Sequence, residues 1–116
     1  MPYIITTTAD DPHVGTPAME RVTVTRIAVA TLDEARRITA REYREHVHRF
    51  MGFDTRWITE SGGTVGPLPD GTVIEVQSVS WNWIIGMADD AGIDTDAVYE
   101  DGGDLAILAA FNGAQA

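Results

Sequence analysis

A chain of 116 residues and 12.6 kDa is the size of one compact domain, and a composition 44% hydrophobic and 22% charged is that of an ordinary globular protein. Eight basic residues stand against eighteen acidic ones, a formal −10, which disfavours an electrostatic grip on nucleic acid or on an anionic membrane. All eight bases are Arg, and with neither Lys nor Cys the chain excludes a thiol nucleophile, a disulfide, a cysteine-ligated metal, a P-loop lysine and a lysine Schiff base.

The charge is unevenly placed. Residues 1–58 contain all eight arginines and eight acids, whereas residues 59–116 contain ten acids and no base. The opening Met1-Pro2-Tyr3-Ile4-Ile5 lacks the marks of a signal peptide. The longest apolar run, Leu105 to Phe111, is about a third of what a bilayer crossing needs. The expected setting is the cytoplasm, with no membrane contact.

Tyr3 to Thr8 predicts a strand, closed by Asp10-Asp11-Pro12 and a loop to Ala18. Arg21 to Ala30 predicts a second strand, and the phase change between Val22/Val24 and Ile27/Val29 predicts a bulge near Arg26, with burial on both faces as the alternative. Thr31-Leu32-Asp33-Glu34 is a capping box that starts a helix over 31–51. Its apolar stripe is Leu32, Ala35, Ile38, Tyr43, Val47 and Phe50, and Gly52 is its stop.

Pro69-Asp70-Gly71 predicts a tight turn joining Thr64–Leu68 to a strand over Thr72–Val79 whose Glu75 and Gln77 face water. Ser80 caps a helix reaching about Ala91, which Gly92 ends. A short turn from Thr95 to Glu100 and a last helix from Leu105 to Asn112, capped by Asp104, complete the chain. That last helix is apolar nearly all round, so it is expected either in the core or against a partner. The fold class is α+β: one domain over 1–116, with a small antiparallel or mixed sheet of three or four strands, the long helix on one face and short C-terminal helices.

Four groups of residues are candidates for function. Arg37, Arg41, Arg44 and His48 form a basic stripe on the long helix, suited to an acidic partner surface or to pairing with the acidic second half. Trp81 and Trp83, with Leu105, Leu108 and Phe111, are candidates for a protein-binding surface, against a default of core packing. Glu42, Glu45, His46 and His48 carry helical spacings that suit a metal only with further ligands, while His13 stands alone. The acids Asp89, Asp90, Asp94, Asp96, Glu100, Asp101 and Asp104 fail the EF-hand pattern, because Val98 and Tyr99 fall on its fifth and sixth positions. They read as helix caps and solvated faces.

Ser61-Gly62-Gly63-Thr64-Val65-Gly66 lacks both the spacing and the following helix of a phosphate loop. No nucleophile elbow or ordered Ser, His, Asp pattern is present. The expectation is a non-enzymatic protein with no cofactor and no metal, whose partner is a protein. The alternatives are an acidic mimic of DNA and a small metal-dependent enzyme or binder.

The segments Ala28–Arg36, Glu60–Val76 and Ala109–Asn112, with the Tyr3-Ile4-Ile5-Thr6-Thr7 opening, resemble small proteins of mycobacteriophages and related actinobacterial phages. The arginine-only basic set agrees with a high-GC genome. The resemblance implies a phage accessory protein in the host cytoplasm that binds itself or a host factor, and it carries no catalytic residues over.

Overall fold

The computed structural model describes residues 1–10, 21–47 and 54–115. The expected loop to Ala18, His13, His48, Phe50 and the Gly52 stop lie outside them.

Four strands, β1 (Tyr3–Asp10), β2 (Arg21–Val29), β3 (Gly62–Val65) and β4 (Val73–Ser78), form one antiparallel sheet in the order β2-β1-β4-β3. Three helices, α1 (Leu32–His46), α2 (Trp81–Asp90) and α3 (Thr95–Ala114), complete an α+β fold. Strand alternation divides the apolar side chains between two clusters. Tyr3, Ile5, Val29, Ile74 and Val76 meet Ala35 and Ile38 of α1 on one face. Ile4 and Ala28 meet Ile84 and Ala88 of α2 and Ile107, Leu108 and Phe111 of α3 on the other. Over β4 that second face is wet, with Glu75 and Gln77 exposed.

Local chemistry explains the boundaries. The Glu34 amide donates to the Thr31 hydroxyl at 3.2 Å, and the returning Glu34 carboxylate meets that hydroxyl at 3.4 Å rather than the Thr31 amide. The helix stops at His46, short of the expected 51, because Val47 turns extended (φ −122°, ψ 114°) while its side chain still packs on the α1 core. The bulge is present two residues earlier than expected. Thr25 opposes Thr7 and Thr23 opposes Thr8, so Val24 is the extra residue, and Val22 and Val24 remain exposed.

The β3–β4 connection turns at Pro69-Asp70, where the Gly71 amide donates to the Leu68 carbonyl at 2.8 Å and Gly71 takes φ +85°. β3 ends at Val65 rather than Leu68, since Gly66 adopts φ +121° and Pro67 has no amide for the ladder. Ser80 caps α2 through the Trp83 amide, and Asp94 caps α3 through the Ala97 amide. The two C-terminal helical segments expected from sequence join across a break at Gly103 (φ 73°, ψ −159°), so Asp104, expected as the cap of the last helix, lies inside α3 just after the break.

Candidate functional site

Arg37, Arg41 and Arg44 lie on the solvent side of α1 and are exposed. Arg41 reaches the neighbouring Glu42 at 3.4 Å, and Arg36 spans from Asp33 to the Ile58 carbonyl, to which it donates at 3.0 Å. Among the described residues only one contact between an acid and a basic side chain, the His46 ring with Asp70 at 3.1 Å, joins the arginine-bearing and base-free halves of the chain. The acids of α2 and α3 occupy the other side of the sheet from α1, which is why the two sets do not neutralise each other.

The apolar candidates divide. Leu108 and Phe111 are 5% and 2% exposed and belong to the core beneath α2 and α3, which corrects their assignment to a partner surface. Packing on Ile4 and Ala28 takes one side of that helix, and its neighbour α2 shields more of it. Leu105, one turn nearer the helix break, is 65% exposed. Trp81 is half-buried against the core, whereas Trp83 is 58% exposed. Tyr99, which the sequence analysis did not single out, is 56% exposed on α3. Its i+4 offset from Thr95, a buried residue on the core side, gave no sign of this.

Trp83 stands beside a surface notch of about 240 Å³ lined by Asn82, Gly86, Met87 and Asp90. Residues 83, 86, 87 and 90 share one helical face, and at Gly86 no atom lies within 4 Å of where a Cβ would be. The notch is thus lined by an indole, a thioether and a carboxylate. An indole, a thioether and a carboxylate side by side are groups able to pack along an aliphatic stem and pair with a positive charge. Asp89, Asp90, Asp94, Asp96, Glu100 and Asp101 are all exposed, Asp90 at the notch itself, and α2 and α3 contain no base.

The metal set does not converge. Glu42 points under the sheet toward Thr7 and Thr25, while the His46 ring meets Asp70 and, at 3.3 Å, the Thr72 hydroxyl. Among the described residues no group of three or more His, Cys, Asp or Glu is placed to hold a metal ion. Asp70 is partly desolvated, which raises its pKa, but the Thr72 amide and hydroxyl together with His46 outweigh this and hold the carboxyl below its ordinary value. No helix among the described residues is long and apolar enough to cross a membrane.

No protein-family model, curated protein or solved structure matches the chain.

Proposed function

We propose that this protein works by binding another protein, without catalysis, through the outer face of α2 and α3, and that the partner presents a lysine or arginine to the notch beside Trp83. In this reading the chain is an accessory protein of an actinobacterial phage and the partner a basic protein of its host. The observation that carries it is the notch itself: an exposed tryptophan, an open glycine position, Met87 and Asp90 on one face of a base-free helix. Two copies meeting by this face would bring like charges together, which favours a basic partner over self-association.

Affinity capture from an actinobacterial lysate, followed by affinity measurement on the recovered protein, tests the proposal. The captured protein is expected to be basic, and Trp83→Ala or Gly86→Leu, the second of which fills the notch, is expected to weaken it by about tenfold or more. Capture of nothing, or of a protein that binds both variants as tightly, overturns it.

The exposure of the acids favours a second reading, a mimic that occupies a nucleic-acid-binding protein. There the captured protein would be displaced by DNA, and replacing Asp96, Glu100 and Asp101 by Asn or Gln would weaken it more than Trp83→Ala.

A further inference from the structure

A second feature lies at the opposite edge of the sheet from β3. Glu42 sits one turn beyond Ile38 on the core-facing side of α1, where an apolar residue is expected, and it is only 2% exposed. A carboxylate taken out of water is stable only when its acceptor sites are filled. Its described contacts are the Thr7 and Thr25 hydroxyls, each at 3.5 Å, and Arg41 at 3.4 Å. These are long for hydrogen bonds to an ionised oxygen, and a carboxylate has room for about four.

Glu42 also lines a cleft of about 250 Å³ along the free edge of β2, together with Thr25, Arg26, Ile27, Arg41, Asn112 and Gln115. One wall is fixed. The Asn112 carboxamide is already committed to the Ala28 backbone, so α3 cannot swing across the opening without breaking two bonds. The cleft therefore joins a nearly buried anion to two cations of the opposite sign, in a space suited to a ligand of few atoms. A simple cation would satisfy Glu42 but meet Arg26 and Arg41; a simple anion would have the reverse fault.

We propose that this cleft is a binding site for a small zwitterion, whose ammonium is received by the Glu42 carboxylate and whose own carboxylate is held by Arg26 and Arg41. The cleft shares no lining residue with the notch beside Trp83, and its occupancy does not depend on a protein partner.

The test is amide-resolved NMR of the full chain titrated to about 20 mM, the range of a weak site, with three probes: γ-aminobutyrate, n-butylammonium and butyrate. Saturable shifts centred on Arg26, Glu42 and Asn112 are expected with γ-aminobutyrate, at least fivefold tighter than with either half alone, a factor characteristic of two cooperating contacts of about 1 kcal/mol. Glu42→Gln, which keeps the side-chain shape, is expected to lower that affinity about tenfold while the protein stays folded and no less heat-stable, because a buried charge has been removed. Arg26→Gln, which leaves Glu42 in place, should weaken γ-aminobutyrate and spare n-butylammonium. No saturable shift with γ-aminobutyrate, equal binding of either half, or equal binding by both variants overturns the proposal.

Discussion

The side chain of Asn112 pairs with both backbone groups of Ala28, donating to its carbonyl and accepting from its amide at 2.8 Å each, across 84 residues of chain. β2 is an edge strand, and at Ala28 its free N–H and C=O face away from β1. A carboxamide carries one donor and one acceptor in the arrangement of a peptide group, so Asn112 completes the ladder as a short fifth strand would. Asn112→Ala should therefore destabilise the fold by about 2–3 kcal/mol, since two bonds are lost and two buried backbone groups are left without partners. Asn112→Asp should cost a similar amount because a carboxylate cannot donate to the Ala28 carbonyl. Urea unfolding of the two variants checks both.

Leu108 and Leu105 are three residues apart on one helix and meet opposite surroundings. Leu108→Ala is expected to cost about 2–5 kcal/mol, as a core cavity does. Leu105→Ala should change stability by less than about 0.5 kcal/mol, because its side chain already lies in water. Equal losses in thermal unfolding would contradict the burial described for this helix.

Asp70 links acidity to stability. Its carboxyl is held below the ordinary value of 3.8, so it contributes stability at pH above the unfolded value and loses that contribution as pH falls through the folded one. Asp70→Asn should lower the melting temperature at neutral pH, and the gap from the native protein should close as pH is taken below the carboxylate range. Partial exposure screens the effect and keeps it small. Paired thermal scans from pH 7 downward measure the closing gap.

Gly63 leaves room for the indole of Trp57, and a Cβ there would clash with the Cζ3 and Cε3 atoms of that ring. Gly63→Ala should displace the Trp57 side chain, which is 37% exposed, and shift the tryptophan emission, at a cost below the ~1–3 kcal/mol of core overpacking. Fluorescence and urea unfolding of the same sample report the two effects separately.

Local chemistry made much of the fold legible. Thr31, Ser80 and Asp94 announce three helix starts because a hydroxyl or carboxylate at that position satisfies an amide that the helix leaves free. Pro69-Asp70-Gly71 announces the turn for a similar reason, and Glu75 and Gln77 mark the wet side of β4. What escaped was set by distant neighbours. Val47 leaves the helix although it keeps the apolar spacing, and the position of the bulge at Val24 depends on the register with Thr7 and Thr8 in another strand. The site residues were harder still. Leu108 and Phe111 read as partner contacts because an all-apolar helix looks the same from sequence whether the fold or a partner covers it. Glu42 read only as one of four residues spaced along a helix as metal ligands are, since only the sheet above α1 makes its position an interior one.

The placement of carboxylates on α2 and α3, with four arginines and four acids balanced along α1, gives the molecule a directed electrostatic field rather than a uniform negative one. A positively charged body approaching at random would be turned toward the Trp83 side before contact, and a negatively charged one turned away from it. Ionic strength should therefore act chiefly on how often productive encounters happen, leaving the lifetime of a complex, once the indole is covered, nearly unchanged.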